Sequence, residues 1–285
     1  MVSIEKMIDK LEELPSPDFI VQRIISLASD PNTSARELAE AIMIDASLSA
    51  KILKLANSAY YGIPRKITVL NEAIMILGFK TVRNLAMSVF TYGALFQKSK
   101  REDSGIDRRA LWRHFVYVAV ASETLGEILG YPVKEELFMN GLLHDIGKVA
   151  LDVISPKLMK ALHKITSEKK RNFIEAENLL EVPSHTLIGA KLVEKWLLPE
   201  MVVQSVSGHH NPDLYIDSIN AEIIAIVHIA DVVINIMHPG DSLSYGKPEL
   251  NHEALNILSL KPKILSKFID RLKDKLEKVD EFINM

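Results

Sequence analysis

Seven residues of metal-binding types occur where the surrounding sequence is apolar or where a helix is expected to end. His144 and Asp145 are adjacent within Gly141–Val149, an otherwise apolar run that also contains Lys148. A buried carboxylate is costly unless it has a charged partner or a metal. The remaining candidates lie elsewhere on several predicted helices: His114, His185, His209, His210 and Asp231. Antiparallel helices can direct such side chains into one bundle interior, so we predict a single cluster.

The residue types restrict the chemistry of this cluster. The chain has nine histidines and no cysteine, which excludes thiolate zinc sites, disulfides and cysteine nucleophiles. Nitrogen and oxygen ligands without sulfur suit Mn, Fe, Co, Ni or Zn better than calcium. Adjacent helical residues diverge by about 100°, so His144 and Asp145 suit two neighbouring ions, with Asp145 as the bridge. Two ions about 3.5 to 4 Å apart are the arrangement that promotes phosphoester hydrolysis.

Each candidate also has a plainer explanation. Taken singly, each is more often a hydrogen-bonded core or surface residue than a ligand. Lys148, one helical turn after His144, is either a phosphate-binding charge or a surface lysine whose stem lies along apolar side chains. Four histidines receive no predicted role, with His228, one turn before Asp231, the doubtful case: His163, His228, His238 and His252.

Composition describes an ordinary globular protein. The 285 residues are 48% hydrophobic and 25% charged, which favours one large or two smaller domains. The 34 basic residues against 37 acidic ones give no overall attraction for nucleic acid or an anionic membrane. The charged N-terminus lacks the core of a secretory signal, and neither apolar window, Asn84–Gln97 nor Ile223–Met237, fits a bilayer. We predict a cytoplasmic protein that binds neither nucleic acid nor membranes.

Helical periodicity extends over nearly the whole chain, so the predicted fold is all-α. Ser34 and Glu37 form a capping-box pattern, another helix runs from near Asp45 to the stop at Gly62-Ile63-Pro64, and Gly78 ends a third. Longer helices with prolines near their ends are predicted over residues 111–129, 134–154, 156–180, 185–196 and 221–237.

A polar, aperiodic run at residues 98–109 marks the predicted domain boundary. It separates an N-terminal bundle of short helices, residues 1–105, from a helical domain on which it packs, residues 106–285. Beyond Pro262, apolar residues recur at threes and fours as far as Ile283. This stripe either packs on the protein itself or forms the seam of a homodimer.

The order of the candidate ligands resembles that of the HD superfamily of metal-dependent phosphohydrolases. Its members carry a His, a later His-Asp pair and a final Asp on separate helices, which here are His114, His144-Asp145 and Asp231. Three further histidines match the binuclear branch that includes cyclic-dinucleotide phosphodiesterases: His185, His209 and His210.

Two departures from that branch limit the resemblance. Its Gly-Tyr-Pro motif is missing, and Asn211-Pro-Asp-Leu-Tyr215 stands in its place. Ala110 stands where members that bind a third ion have a glutamate, so we predict no third ion.

Motifs from about residue 13 to residue 235 resemble the HDOD family, a signalling-associated relative of the HD enzymes. They are Leu14-Pro-Ser-Pro17, Asp30-Pro31, Glu37-Leu-Ala39, Asp45-Ala-Ser-Leu-Ser49, Leu55-Ala-Asn-Ser-Ala-Tyr60, Ala73-Ile-Met-Ile-Leu-Gly78, Glu181-Val-Pro-Ser-His185 and Leu198-Pro-Glu200. The resemblance implies a regulatory or output module of bacterial signalling. Many members have lost metal ligands, whereas this chain keeps all seven candidates.

Two functions follow from these resemblances. In the first, the protein is a metal-dependent phosphohydrolase with two divalent transition-metal ions, acting on a nucleotide or another phosphorylated small molecule. Asp145 and Lys148 are then the predicted catalytic residues, the first helping to generate a hydroxide and the second holding a phosphate. In the second, the protein is a non-catalytic module that contacts a signalling protein through its helical lobes, with the metal structural or absent.

Overall fold

The computed structural model describes residues 7, 10–11, 17, 19–96, 105–238 and 240–284. These residues form helices and no strand, so the predicted all-α class is confirmed. The chain divides into two compact units, one of Pro15–Phe96 with Lys273–Met285 and one of Met1–Leu14 with Gln97–Leu272. Residues 97–104 of the predicted boundary lie outside the described residues. The prediction assigned residues 273–285 to the second domain, whereas the compact units group them with the N-terminal helices. The domain limits themselves stay a prediction.

The first unit contains short amphipathic helices. They are α1 (Phe19–Ser29), α2 (Ala35–Met43), α3 (Ala46–Ala56), α4 (Leu70–Leu77) and α5 (Phe79–Phe96). The predicted capping box at α2 is confirmed, because Ser34 accepts the amide hydrogen of Glu37 while the Glu37 carboxylate accepts that of Ser34 at 2.8 Å. The Asp45 side chain caps α3 by accepting the amide hydrogens of Ser47 and Leu48.

Asn57 ends α3 and fixes the loop that follows. Its side-chain nitrogen donates to the carbonyls of Leu53 and Ile67, and its oxygen accepts the Ile67 amide hydrogen at 2.7 Å. The predicted helix beginning near Asp45 therefore stops at Ala56 instead of continuing to Gly62.

The second unit contains the longer helices. They are α6 (Arg108–Leu129), α7 (Lys134–Leu143), α8 (Ile146–Ile154), α9 (Pro156–Lys169), α10 (Phe173–Leu179), α11 (His185–Lys195), α12 (Glu200–Gly208), α13 (Ala221–Met237) and α14 (His252–Ile257). Helix α6 packs along α7 and α13, and α8 packs against α11. These contacts bring together the helices that carry the candidate ligands.

Two of the predicted long helices were wrong, because each is broken into two. The predicted helix 134–154 breaks at His144-Asp145, where Asp145 leaves the helical conformation (φ −102°, ψ 14°) and turns its carboxylate to other side chains rather than capping α8. The predicted helix 156–180 breaks at Lys170, which is left-handed (φ 51°), and restarts at a capping box between Asn172 and Glu175.

Two glycines allow α8 and α11 to cross at backbone distance. A Cβ atom on Gly147 would overlap the carbonyl of His185 and lie 2.8 Å from the amide nitrogen of Gly189. A Cβ on Gly189 would lie 3.0 Å from the Gly147 nitrogen. The separation of Asp145 and His185, which flank this crossing, is thus set by backbone contact.

The C-terminal apolar stripe is largely buried within the chain itself. It lies on α15 (Pro262–Leu276) and α16 (Asp280–Ile283), and Phe268, Leu272 and Val279 are fully buried. This burial within one chain favours packing of the stripe on the protein itself over the seam of a homodimer.

Within the described residues, no single helix is long and apolar enough to cross a membrane. One pair, Leu70–Leu77 with Phe79–Ala94, meets the length and composition requirement only when taken together, and it is bent by 118°.

Candidate metal centre

The structure brings all seven predicted ligand residues together inside the second unit. Helix α6 supplies one, the break between α7 and α8 supplies two, the first residue of α11 supplies one, the turn after α12 supplies two, and α13 supplies one. In that order they are His114, His144, Asp145, His185, His209, His210 and Asp231. Six are buried and His210 is half-buried.

The first ligand group surrounds one carboxylate oxygen of Asp145. Asp145 Oδ2 lies 3.4 Å from His114 Nε2 and 3.3 Å from His144 Nε2. Asp231 Oδ1 faces the same two nitrogens at 3.1 and 3.5 Å. The ligand atoms of His114, His144 and Asp145 lie within 4.8 Å of one another, close enough to hold one metal ion, and Asp231 contacts the two histidines of this group.

The second group surrounds the other oxygen of the same carboxylate. Asp145 Oδ1 lies 3.1 Å from His185 Nε2 and 3.6 Å from His209 Nε2. His210 Nε2 completes the group, 3.2 Å from His185 Nε2. The ligand atoms of this group all lie within 4.8 Å of one another. Asp145 therefore presents one oxygen to each group, which is the geometry of a bridging carboxylate.

The hydrogen bonds made by the imidazole rings favour a bound cation between them over hydrogen bonds from one ring to another. His144, His185 and His209 place Nδ1 against acceptors, namely the Gly141 carbonyl at 2.7 Å, the Glu177 carboxylate at 3.1 Å and the Val206 carbonyl at 3.0 Å. A neutral imidazole that donates from Nδ1 has only a lone pair at Nε2. The Nε2 atoms of all three rings point into the cluster, where a neutral ring offers its lone pair, and the buried Nε2 of His209 has no hydrogen-bond partner. Converging lone pairs and carboxylates match the donor set of a transition metal.

Burial and charge set the protonation of the cluster. Burial lowers the pKa of His144, but the charges of Asp145 and Asp231 outweigh it and raise that pKa to about 9. Burial lowers the pKa of His209 to about 4, since the Asp145 carboxylate, 3.6 Å from Nε2, offsets only part of the effect. Burial also opposes ionisation of Asp145, yet Lys148 and His144 hold its pKa well below the usual range. Both carboxylates are thus ionised at neutral pH, and His209 is neutral.

Lys148 is buried beside Asp145. It is 1% exposed, and its Nζ lies 2.6 Å from Asp145 Oδ2 and 3.0 Å from the Ser242 carbonyl. The ring of Phe173 lies 5.0 Å from the same nitrogen. The structure therefore shows Lys148 orienting the shared carboxylate, and its predicted contact with a phosphate stays a prediction.

Sequence reasoning missed Glu177 of α10, which orients His185. Its carboxylate accepts both the backbone amide hydrogen and the Nδ1 hydrogen of His185. A carboxylate behind a histidine fixes the ring and makes it a stronger ligand. One signal was available, because Glu177 falls at helical spacing from the apolar residues Phe173 and Ala176, and so on a buried face.

A cavity of about 190 Å³ lies beside the cluster. His210 and Asp231 form part of its wall, and the rest comes from the start of α10, the outer part of α13 and the loop 244–249. Its polar lining consists of amides, hydroxyls and carboxylates: Asn172, Glu175, Asn211, Asn235, Ser244 and Glu249. This space gives a small molecule a place next to the candidate metal ligands.

The fold and the cluster define an all-α protein whose helices bring five histidines and two aspartates together. The chain belongs to the HDOD family, whose domain model matches residues 14–212. Asp231 and the cavity loop 244–249 lie beyond the matched segment.

Individual relatives agree with this assignment. An uncharacterised protein of Treponema pallidum is 28% identical over 210 residues, which is 73% of this chain and 39% of that protein. The chain thus spans about two fifths of the length of this relative. The structure is similar to an HDOD domain protein of unknown function from Geobacter sulfurreducens (TM-score 0.80, 24% identity, 98% and 99% of the two chains covered). It is also similar to a Shewanella amazonensis protein described as "Putative metal-dependent phosphohydrolase" (TM-score 0.64, 20% identity, 95% and 96% covered).

Proposed function

We propose that this protein is a metal-dependent phosphohydrolase that acts on a nucleotide or another small phosphoester. The observation that carries the proposal is the division of the Asp145 carboxylate between two ligand groups. The first group adds His114, His144 and Asp231, and the second adds the three histidines His185, His209 and His210. Such a site suits two divalent ions, with Mn, Fe, Co, Ni or Zn as the candidates.

The chain's own residues would hold and orient the reacting groups. When bound, two ions would polarise a phosphoester and lower the pKa of a bound water. Asp145 would fix the separation of the two groups, and Lys148 would hold that carboxylate ionised by its 2.6 Å contact. The half-buried His210 and the neighbouring cavity would admit the substrate from one side.

Two measurements test the proposal. Metal content after reconstitution with Mn²⁺ or Fe²⁺ should approach two ions per chain, and less than about 0.3 ion per chain would contradict the metal site. Purified protein should then release phosphate or nucleotide from a panel of phosphodiesters and nucleotides.

The matched control for turnover is Asp145→Asn, which keeps the size of the side chain while removing its charge. It should abolish hydrolysis and metal uptake together, because both ligand groups share Asp145. His252→Ala removes an exposed histidine of α14 and should retain both. Equal rates in wild type and Asp145→Asn would assign the hydrolysis to a contaminant.

The second candidate function, a non-catalytic signalling module, is favoured by an apolar surface in the first unit. Helices α2 and α4 pack together, and exposed side chains occur at the end of α2 and on and beside α4: Met43, Ile44, Val69, Met75 and Ile76. Contiguous exposed apolar side chains often mark protein contacts, so this function assigns the contact to these five residues. A signalling role that survives Asp145→Asn but is lost on Met75→Glu would support this function over hydrolysis.

A further inference from the structure

Ser242, in the loop after α13, is not a candidate ligand, but it contacts two residues that do contact candidate ligands. It is 1% exposed. Its backbone carbonyl accepts a hydrogen bond from Lys148 Nζ at 3.0 Å, and the same nitrogen bonds Asp145 Oδ2. Its hydroxyl donates to Asn235 Oδ1 at 2.5 Å. Ser242 is therefore hydrogen-bonded to Lys148, which contacts Asp145, and to Asn235, which contacts the second candidate carboxylate.

The second link holds an amide against Asp231. Asn235 Nδ2 donates to Asp231 Oδ1 at 2.7 Å and to the Asp231 carbonyl at 3.0 Å. A carboxamide has one donor end and one acceptor end. Because both Asp231 oxygens are acceptors, the amide nitrogen faces them, and the Ser242 hydroxyl holds the amide in this position by donating to its Oδ1. The opposite orientation would bring two oxygens together and would repel the ligand.

The loop is also anchored next to a third ligand. Asp241 accepts two hydrogen bonds from Arg113, both at 2.6 Å, and Arg113 precedes His114 in α6. Ser242 is thus held at a fixed distance from the helix that carries the first histidine of the cluster.

We propose that Ser242 is a positioning residue for the metal centre, which orients Asp231 through Asn235 and Asp145 through Lys148. This inference rests on the proposed function, because it assumes that the two carboxylates bind metal. It adds a determinant of metal affinity that lies thirty residues beyond the segment matched by the family model.

The test compares three serine variants by their affinity for Mn²⁺, measured by equilibrium dialysis and by the electron paramagnetic resonance spectrum of the bound ion. Ser242→Ala removes the hydroxyl and should weaken Mn²⁺ binding about 10- to 100-fold, the usual cost of losing a residue behind a ligand. Ser242→Thr keeps a hydroxyl and should restore binding. Ser167→Ala is the control, since its hydroxyl donates to the His163 carbonyl within α9 and the variant should leave affinity unchanged.

A double-mutant cycle separates positioning from general damage to the fold. Asn235→Ala removes the other end of the same link, so it should weaken Mn²⁺ binding about as much as Ser242→Ala does. The double variant should be no weaker than either single variant, because the two substitutions break one connection. Additive losses, or wild-type affinity in Ser242→Ala, would overturn the inference while leaving the proposed function intact. A wild-type protein that binds no Mn²⁺ would overturn both.

Discussion

His144 must change its protonation when a metal binds. Without metal its pKa is raised to about 9, because the charges of Asp145 and Asp231 outweigh the effect of burial. It therefore carries a proton at neutral pH, whereas a metal ligand must be neutral. Metal binding at this residue has to displace that proton.

We expect metal affinity to increase with pH between 7 and 9. The displaced proton should make the apparent association constant increase by up to about tenfold per pH unit in this range. Titration calorimetry in buffers of different ionisation enthalpy should detect about one proton released per first ion at pH 7. His144→Ala, which has no proton to displace, should bind more weakly and with a flatter pH dependence. A pH-independent affinity in the wild type would contradict this assignment of the His144 proton.

His228 connects Asp231's helix to the second ligand group. Its Nδ1 donates to the His209 carbonyl at 2.7 Å, and its Nε2 accepts the Asn251 amide hydrogen at 2.9 Å. Both ring nitrogens are satisfied, so this histidine, which received no role from the sequence, is a bonded core residue that holds the His209 turn.

Two substitutions at His228 should differ in effect. Asn places its amide nitrogen near the position of Nδ1 and should keep the bond to the His209 carbonyl, whereas Gln reaches the Nε2 position and should lose it. We expect His228→Gln to weaken binding of the second ion about tenfold and His228→Asn to change it little. Calorimetric titration of each variant with Mn²⁺ measures this, and equal affinities in the two variants would argue against the His209 contact.

At the residue level, the clustering of the candidate ligands could be predicted because ionisable side chains interrupt apolar runs, as His144 and Asp145 do. Asn235 and Ser242 could not, since their role depends on a contact between α13 and a loop. Lys148 shows the intermediate case: its proximity to Asp145 follows from helical spacing, but its burial depends on Phe173 and the Ser242 carbonyl.

At the level of the elements, the helix starts capped by Ser34 and Asp45 were predicted correctly and helix breaks were not. Ser34 and Asp45 cap their helices through contacts within three residues, which the sequence displays directly. The break at Asp145 has no proline or glycine at the break itself. It depends on the carboxylate finding partners on other helices, and no local pattern contains that information.

The crossing of α8 and α11 gives a prediction that separates packing from helix propensity. Gly147→Ala would place a Cβ atom against the His185 carbonyl and should destabilise the protein by about 1 to 3 kcal/mol or more, because backbone cannot yield easily. Gly93→Ala, on exposed α5 surface with nothing within 4 Å, should be neutral or stabilising by about 0.5 to 1 kcal/mol. Denaturant unfolding of both variants checks this, and a Gly147→Ala protein as stable as wild type would contradict the close crossing.

At the level of the whole molecule, the candidate ligands come from residues 114 to 231, a long segment of one compact unit. Metal that binds only the folded unit should stabilise it by about 2.7 kcal/mol at a concentration 100 times its dissociation constant. We expect Mn²⁺ to raise the unfolding temperature of the wild type. The increase should persist in His252→Ala and disappear in Asp145→Asn. Scanning calorimetry measures all three, and an equal increase in Asp145→Asn would indicate binding elsewhere.

Domain limits were the least predictable property at this scale. The polar run 98–109 is visible in the sequence, but the grouping of residues 273–285 with the N-terminal helices depends on where the end of the chain packs. An amphipathic stripe shows which face of a helix is buried and does not show its partner.

The glycine crossing between α8 and α11 also bears on how this protein can diverge. Side chains in a core can be exchanged in compensating pairs, and helices then shift by small amounts. Gly147 and Gly189 have no side chain to exchange, so the backbone contact between them sets the closest approach of the two helices. Asp145 and His185 lie beside that contact. Substitutions that accumulate elsewhere in the core should therefore alter the shape of the cavity sooner than the spacing of these two candidate ligands.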